Sequence, residues 1–527
     1  MLIVLGFLTN FKLIPIMSSK LFSATTYGMD GRIIEIEADT APGQPVFTTV
    51  GLPDTAVKEA KERVTSAIKN SGFRPPHFFG RVTVNLAPAD LKKEGPSFDL
   101  PIALGILLAS SQITKIPQKT IFLGELALDG RLRPINGLLP IAMSIREKGF
   151  DNLFAPAEIA KEANIVDGLN VYPVETLTEV INHIQEIKKI SPLPKDNSFA
   201  KQLVTSSHAN DFAFIKGQEH VKRALEVAVA GGHNILLTGP PGSGKTMLAK
   251  SIPSIMPPLT IEEALEVTRL YSIAGLTNAE QTLITQRPYR APHHSASAVS
   301  LVGGGSFPRP GEISLANRGV LFLDEFPEFP REVIENLRQP LEDGTVFISR
   351  AQGSVEFPAR FILVAAMNPC PCGNSTDPEK QCSCLPHQIA RYRNKLSGPI
   401  MDRIDIHIEV PRLKFEKLSS KELGEKSEKI RQRVVQARKI QEKRFLKNKK
   451  NPSVITNSEM SSQMIRKYCE IGKEEKELLK TAINRFGLSP RGYHRLLKVA
   501  RTIADMENSS DIKMEHLAEA IQYRFKE

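Results

Sequence analysis

Residues 239–246 read GPPGSGKT, a glycine-rich stretch that ends in a lysine and a threonine. The stretch follows the apolar run 234–238 and precedes the segment 247–252, an order that predicts a strand, a loop and a helix. In such a loop the backbone N–H groups and the lysine hold phosphate oxygens, while the hydroxyl binds Mg²⁺. A simple turn before a helix is the alternative, and the match at every fixed position disfavours it. The predicted nucleotide-binding residues are Gly239, Pro240, Pro241, Gly242, Ser243, Gly244, Lys245 and Thr246.

Two acidic residues follow a second apolar run, residues 319–323, which is typical of a buried strand in a parallel sheet. Because ligands gather at the carboxyl ends of such strands, we expect Asp324 to orient Mg²⁺ and Glu325 to activate the attacking water. A strand end with solvated acids is the alternative. A third run ends at Asn368, whose amide could hydrogen-bond the γ-phosphate or the water, although an Asn after a strand is usually a turn former.

Arg403 lies beside a predicted strand in the segment 398–405. One interpretation is a salt bridge with Asp402 or Asp405 in the same chain. The other is an arginine finger that enters the site of a neighbouring subunit. The residues alone leave both interpretations open.

Together these motifs resemble those of the AAA+ ATPases of the magnesium-chelatase and helicase clade, and more closely those of the ComM/YifB group of bacterial proteins. The resemblance runs from about Met17 to the C-terminus. The matching stretches are GQEHVKRALEVAVAGGHNILLTGPPGSGKT, RPYRAPHHSASAVSLVGGGSFPRPGEISLANRGVLFLDE, AAMNPCPCG, SGPIMDRIDIHIEVP and SPRGYHRLLKVARTIADM.

The resemblance implies a ring, a homo-hexamer, with ATP and Mg²⁺ bound at the subunit boundaries. It assigns Asn368 as the first sensor and Arg403 as the trans-acting finger. It assigns Arg491 as the second sensor, with Arg495 one helical turn further on as the alternative. For the ComM group it implies helicase and branch-migration activity during integration of transforming DNA.

The N-terminal part resembles the Lon protease domain. Ser97 stands where the nucleophile of that family stands, but the segment 137–144, where its partner lysine should follow, contains no lysine. A serine hydroxyl needs a base to become a nucleophile, so we predict no peptidase activity.

The predicted fold class is α/β, with a Lon-protease-like α/β domain, a central AAA+ P-loop ATPase domain and a C-terminal all-α lid. We expect an amphipathic helix over 57–70, a strand over 82–86, an apolar helix over 101–110 and a basic lid helix over 428–450. The predicted segments are an apolar extension over 1–16, the Lon-like domain over 17–190, a linker over 191–212, the ATPase domain over 213–412 and the lid over 413–527.

Two inserts in the ATPase domain are candidates for contact with a substrate in the ring pore. The first contains Arg287, Arg290 and Arg309, together with the pair His293-His294, for which a packed or solvated pair is the simpler interpretation. The second is a hairpin over 344–357, in which Arg350 is the candidate DNA contact.

Four cysteines directly after the first sensor form a C-x-C…C-x-C pattern that suits tetrahedral Zn²⁺. Inert reduced thiols are the alternative, and His387 could replace one of the cysteines as a ligand. The candidate zinc ligands are Cys370, Cys372, Cys382 and Cys384.

The charge of the chain points to a polyanionic partner. The formal net charge is +11, and residues 411–527 carry 28 Lys and Arg against 16 Asp and Glu, an excess of +12. A solvated lysine-rich surface is the alternative to nucleic-acid binding. Only five cysteines occur, all after residue 369, so a disulfide framework is not expected and the predicted location is the cytoplasm.

We therefore predict an ATP-driven hexameric motor that acts on single-stranded or branched DNA, with no membrane partner. The alternative is a chelatase-type AAA+ motor that remodels a protein partner for metal insertion.

Overall fold

The computed structural model describes residues 19–93, 95–195, 210–277, 282–305, 308–350, 353–377, 379–413, 423–446, 454–487 and 489–524. They form two compact units. One comprises the described residues of Met1–Asn197 and Tyr271–Thr282, and the other those of Ser198–Leu270 and Leu283–Glu527. The predicted extension over 1–16 and most of the predicted linker lie outside the described residues.

The first unit is built on a mixed seven-stranded sheet and a small hairpin. The strands are β1 (Ser19–Tyr27), β2 (Asp30–Ala41), β3 (Val46–Val50), β4 (Arg81–Ala87), β5 (Thr120–Phe122), β6 (Glu125–Leu126), β7 (Leu132–Arg133), β8 (Asn152–Pro156) and β9 (Asn170–Val174). The order in the sheet is β3-β4-β2-β1-β5-β8-β9, and β6 pairs with β7. The helices are Thr55–Asn70, Asp99–Ala109, Leu138–Glu147, Ala160–Ala163 and Leu177–Ile184.

The helix Thr55–Asn70 shows how the sequence produces these elements. The Asp54 side chain accepts a hydrogen bond from the Val57 N–H and caps the first turn. Apolar residues recur every three or four positions, so one face of the helix packs into the core. The predicted helix over 57–70, strand over 82–86 and apolar helix over 101–110 are all confirmed, with ends shifted by one or two residues.

The second unit contains a five-stranded sheet in which every pair is parallel. Its order is β11-β14-β17-β10-β18, where the strands are β10 (Ile235–Thr238), β11 (Tyr289–Arg290), β14 (Val320–Leu323), β17 (Ile362–Met367) and β18 (Ile406–Glu409). Two hairpins accompany it, made of β12 (Gly303–Gly304) with β13 (Arg309–Pro310) and β15 (Thr345–Arg350) with β16 (Gly353–Pro358). The helices before residue 410 are Glu219–Gly231, Lys245–Ile255, Ile261–Ala274 (whose residues 271–274 are assigned to the first unit), Ala298–Val302, Glu312–Leu315, Arg331–Asn336, Arg338–Asp343, Pro386–Arg393 and Gly398–Met401.

The C-terminal part of the second unit is helical, as predicted. The basic helix is Ser427–Leu446, whose buried side includes Ile430, Val434 and Ala437; the rest of its predicted length lies outside the described residues. The other helices are Ser462–Tyr468, Lys473–Phe486, Pro490–Met506 and Met514–Gln522. Apolar residues of this part join the same core cluster as strands β10, β14 and β17.

Candidate active site

The glycine-rich loop begins where strand β10 ends, next to the central strand β17 of the sheet. Thr238 pairs with Met367 at the end of β17, and the Gly239 N–H donates to the Met367 carbonyl at 3.2 Å. Because the two strands are parallel, the residue after β17, Asn368, lies at the same edge of the sheet as the loop. The register of the sheet therefore brings two predicted site segments together.

Left-handed backbone conformations shape the loop. Gly242 and Gly244 have φ values of 78° and 91°, where a side chain would be strained. The helix Lys245–Ile255 starts directly after the loop, so the N–H groups of its first turn face the position that a phosphate would take. The backbone thus fits a bound nucleotide phosphate.

Lys245 lies across the loop. Its Nζ donates to the carbonyl oxygens of Gly239 at 2.7 Å and Pro240 at 3.0 Å, and it lies 3.3 Å from Oδ1 of Asn368. Burial lowers the pKa of Lys245, and the carboxylate of Asp324 acts in the opposite direction. An ammonium group held by carbonyl oxygens in a partly buried site can transfer to phosphate oxygens.

Thr246 and Asp324 supply the ligands that Mg²⁺ requires. The Thr246 hydroxyl donates to Oδ2 of Asp324 at 2.8 Å, and Oδ1 of Asp324 accepts from the Glu325 N–H at 2.9 Å. A hydroxyl and a carboxylate in contact form an oxygen donor set of the kind that holds Mg²⁺ beside phosphates. The residues present therefore fit the predicted cation.

Glu325 lies at the end of β14 in a left-handed conformation, with φ 51°. Its carboxylate is half exposed, and Oε2 lies 3.1 Å from Nδ1 of His294. The sequence did not predict this contact, because the His293-His294 pair was interpreted as packed or solvated. The histidine pair follows the strand Tyr289–Arg290, and that position was the only feature of the sequence that could have indicated the contact. The strand is two residues long, which is too short to show a periodic pattern.

The predicted arginine finger is held within its own chain. Nη2 of Arg403 lies 2.7 Å from Oε1 of Glu342, and Nη1 donates to the Pro399 carbonyl at 2.7 Å. The partner is therefore neither of the two aspartates that the sequence suggested: Asp405 pairs with another arginine, and Asp402 lies 3.7 Å from Arg524.

The two candidates for the second sensor differ in their surroundings. Nη2 of Arg491 lies 3.3 Å from the same Glu342 oxygen that Arg403 contacts, and its side chain is 61% exposed. Nη1 of Arg495 is 2.6 Å from Oδ1 of Asp405, a carboxylate that is almost fully buried. Arg495 is thus part of an internal ion pair, which favours Arg491 as the residue able to reach a nucleotide.

The four cysteines of the loop after Asn368 converge. The Sγ–Sγ distances are 3.4 Å for Cys370–Cys372, 3.7 Å for Cys370–Cys382 and 3.6 Å for Cys372–Cys382, and the Cys372 N–H donates to Sγ of Cys384 at 3.4 Å. All four sulfur atoms lie within 4.8 Å of one another. His387 is not a member of the group that the described residues form here.

This cysteine loop packs against the glycine-rich loop. Gly373, with φ 83°, lies so close to Pro241 that an added Cβ would come within 2.4 Å of the proline Cδ. A backbone hydrogen bond from Asn374 is the main cause that lowers the pKa of Cys372 to about 5. A pKa in this range favours the thiolate form of the side chain. The cluster is therefore in contact with the nucleotide loop as well as next to Asn368 in sequence.

The first insert contributes more to the structure of the second unit than expected. Arg287 is partly buried. It donates to Glu263 at 2.9 Å and to the Arg318 carbonyl at 2.6 Å, while Arg290 pairs with Glu312 at 2.6 Å. Both guanidinium groups are thus engaged inside the chain and are not placed as phosphate contacts. Arg309 is exposed.

The second insert forms the predicted hairpin, β15 with β16, with Arg350 paired to Gly353 in its backbone register. Phe347 on this hairpin is 47% exposed. The Arg350 side chain and the turn residues 351–352 lie outside the described part of the structure, so the role of Arg350 remains a prediction.

In the first unit, Ser97 lies in a single helical turn, Pro96–Phe98, and is half-buried. Lys93 is fully buried, and its Nζ donates to the Pro88 carbonyl. Burial lowers the pKa of Lys93. The absence of peptidase activity remains a prediction from the sequence.

The P-loop follows β10, the acids follow β14, and the strand between them, β17, leads to Asn368. This parallel arrangement, together with a helical C-terminal part, defines the class of P-loop ATPases called AAA+. Residues 211–418 match the family described as "Magnesium chelatase, subunit ChlI", residues 36–159 match "Subunit ChlI of Mg-chelatase", and residues 424–524 match "Magnesium chelatase, subunit ChlI C-terminal".

The chain belongs to the ComM/YifB family of magnesium chelatase-like AAA+ ATPases. It is 45% identical over 514 residues to "Competence protein ComM" of Haemophilus influenzae, which covers 95% of this chain and 96% of that protein. It is 43% identical over 504 residues to "Uncharacterized protein YifB" of Escherichia coli, which covers 94% and 95%. The predicted family and fold class are confirmed.

The N-terminal part is similar to a Lon protease of Azospirillum brasilense, at 26% identity over 173 residues, which cover 31% of this chain and 21% of that protein. The family assignment implies ATP and Mg²⁺ as ligands of the site. In the part of the chain that the structure describes, no helix has both the length and the apolar character needed to span a bilayer.

Proposed function

We propose that this AAA+ ATPase is an ATP-driven ring motor that acts on DNA, with helicase and branch-migration activity during natural transformation. The observation that carries the proposal is the assembled site: Lys245 beside Asn368, and Thr246 bonded to Asp324. These four residues come from three segments that meet at one edge of the sheet, and this convergence supports a site for ATP hydrolysis.

Each residue has a distinct role in this proposal. Lys245 holds the β- and γ-phosphates, Thr246 and Asp324 hold Mg²⁺, and Asn368 orients the γ-phosphate or the water. Glu325 accepts a proton from water as the water oxygen bonds to the γ-phosphorus. The bond from the γ-phosphorus to the bridging oxygen breaks at the same time, and ADP and inorganic phosphate leave.

A ring of six subunits would complete the site. Arg403 and Arg491 both contact Glu342. Arg403 would have to leave that carboxylate to act on the nucleotide of a neighbouring subunit. Arg491 would have to leave it to act on the nucleotide of its own subunit. A guanidinium group stabilises the charge that develops during phosphoryl transfer.

DNA is the proposed substrate for two reasons. The excess of Lys and Arg over residues 411–527 gives that part of the chain a positive charge suited to phosphates. In addition, the relative from Haemophilus influenzae carries the name of a competence protein. We propose that the motor binds single-stranded or branched DNA. The proposed location of the protein is the cytoplasm.

Strand displacement on a labelled fork tests this proposal. We expect ATP-dependent displacement by the wild-type protein and none by Lys245→Ala, which should lose nucleotide binding. Glu325→Gln is the matched control, because it should bind ATP and assemble but not turn over. A wild-type protein that binds DNA and hydrolyses ATP but shows neither strand displacement nor branch migration would contradict the DNA motor.

A chelatase-type motor is the second candidate, and the three matches to magnesium chelatase subunit families favour it. Such a motor would remodel a protein partner for metal insertion. Its binding to DNA should lack the steep salt dependence that phosphate contacts produce, so DNA binding measured between low and moderate salt separates the two candidates.

We also propose that Cys370, Cys372, Cys382 and Cys384 hold a zinc ion. A tetrahedral Zn–thiolate site has bonds of about 2.3 Å, which places its sulfur atoms about 3.8 Å apart. The three observed Sγ–Sγ distances, 3.4, 3.6 and 3.7 Å, are close to that spacing. The ion would fix the loop that carries Asn368 and packs against Pro241.

A further inference from the structure

His294 lies in the segment between strand β11 and the helix Ala298–Val302. Strand β11 is parallel to β14, and Arg290 pairs with Leu321. Both strands therefore end at the same edge of the sheet. The chain that leaves β11 reaches the acids that follow β14, although the two segments are far apart in sequence.

The imidazole of His294 contacts the proposed catalytic base directly. Its Nδ1 lies 3.1 Å from Oε2 of Glu325, within hydrogen-bond distance. The two side chains are 37% and 54% exposed, so neither is needed to fill a core. The contact links the segment after β11 to the carboxylate that is proposed to accept a proton.

The backbone of Glu325 is fixed independently of this contact. The residue has φ 51°, its carbonyl accepts from the Glu328 N–H at 2.7 Å, and the next side chain, Phe326, is fully buried. With the backbone held, the direction of the carboxylate is the remaining freedom. The 3.1 Å contact with the His294 imidazole restricts that freedom, as groups around a catalytic residue commonly do.

His293 provides a matched control in the same segment. Its Nδ1 lies 2.8 Å from the Ser295 hydroxyl oxygen, and its ring centroid is 4.1 Å from that of His294. It is therefore a neighbouring imidazole that contacts a serine rather than the proposed base.

We propose that His294 is a positioning residue for ATP hydrolysis: its Nδ1–H donates to Oε2 of Glu325 and holds the carboxylate toward the attacking water. The inference rests on the proposed function of Glu325 as the base. It assigns a role to the second histidine of the His293-His294 pair, which the nucleotide-binding motifs leave without one.

The test compares kcat and KM for ATP in wild type, His294→Ala, His294→Asn and His293→Ala, without DNA. A general base contributes about 10²- to 10⁴-fold, so a misdirected base should lose part of that factor and lower kcat by about tenfold or more. KM and nucleotide affinity should change by less than about threefold, because Lys245 and Thr246 are untouched.

The asparagine variant distinguishes positioning from structure. Its side-chain N–H₂ donor is attached at the same distance from the backbone as Nδ1 of histidine, so His294→Asn should restore kcat to within about threefold of wild type. His293→Ala should stay near wild type.

Unchanged turnover in His294→Ala, an equal loss in His293→Ala, or no recovery in a folded His294→Asn would overturn the inference. A wild-type protein that does not hydrolyse ATP would instead overturn the proposed function itself. Because the assay contains no DNA, its result does not depend on which substrate the motor acts upon.

Discussion

Nη2 of Arg403 lies 2.7 Å from Oε1 of Glu342 in the same chain. The arginine is 6% exposed, and a second arginine, Arg491, shares the same oxygen at 3.3 Å. A guanidinium group in this position is neutralised by its own subunit. If it serves a neighbour's nucleotide, subunit assembly must exchange the Glu342 carboxylate for a phosphate.

Mixing two inactive variants tests whether Arg403 acts in trans. Arg403→Ala should bind ATP but hydrolyse it about a hundredfold or more slowly, since arginine fingers contribute at least that factor. Lys245→Ala should be inactive for a different reason. Mixed rings contain boundaries with an intact Lys245 on one side and an intact Arg403 on the other, so the mixture should recover part of the ATPase rate.

The control is a mixture of Lys245→Ala with Glu325→Gln, two defects on the same side of the boundary, which should not recover activity. Near-normal turnover by Arg403→Ala, with reduced thermal stability, would show that the Glu342 ion pair is only structural.

Zinc content tests the proposed metal site. Protein purified without chelators should contain about one zinc per chain, and Cys382→Ser combined with Cys384→Ser should lose it. Because the cluster is next to Asn368 and packs on Pro241, loss of the metal should also lower kcat for ATP. The matched control is Cys469→Ala, which changes the fifth cysteine and should leave the metal in place. Wild-type protein with zinc near zero would contradict this proposal.

A partly buried histidine, His407, predicts acid sensitivity of the second unit. Desolvation lowers the pKa of His407 to about 4, whereas the pKa of a histidine in an unfolded chain is about 6.5. Between these values the unfolded chain binds more protons, so stability is present above pH 6.5 and falls as the pH decreases. The free energy of unfolding should therefore be about 2 kcal/mol smaller at pH 5 than at pH 7.5 from this group alone.

Urea unfolding of wild type, His407→Leu and His220→Leu at the two pH values checks this. His407→Leu should show a correspondingly weaker dependence on pH, while the exposed His220→Leu should follow the wild type. An identical pH dependence in all three proteins would show that His407 does not carry the effect.

Much of the nucleotide site could be predicted from the sequence because its chemistry lies in contiguous motifs. The loop 239–246, the acids after β14 and the asparagine after β17 each follow an apolar strand, and parallel strands bring their carboxyl ends together. The fold class was implied by the family resemblance that these motifs carry. Periodicity likewise predicted the helix Thr55–Asn70 and the basic helix Ser427–Leu446.

The parts that the sequence did not predict depend on contacts between distant residues. Glu342 is 61 positions from Arg403 and has no motif of its own, so the true partner of the arginine could not be chosen from nearby acids. The edge strand β11 is two residues long, so it shows no periodic pattern in the sequence. Because the strand was not predicted, the contact of His294 with Glu325 was not predicted either. Glu263 is likewise distant from Arg287 in sequence, so Arg287 was interpreted as a substrate contact although it is hydrogen-bonded to Glu263.

The most direct test of the central claim is the steady-state ATPase rate of the wild-type protein with and without forked and single-stranded DNA, at low and moderate salt, with Lys245→Ala as the blank. We predict several-fold stimulation by DNA that fades as salt rises, because phosphate contacts release counterions. A substantial ATPase rate that is indifferent to both DNAs at every salt concentration would contradict a DNA motor and shift the function to a protein partner.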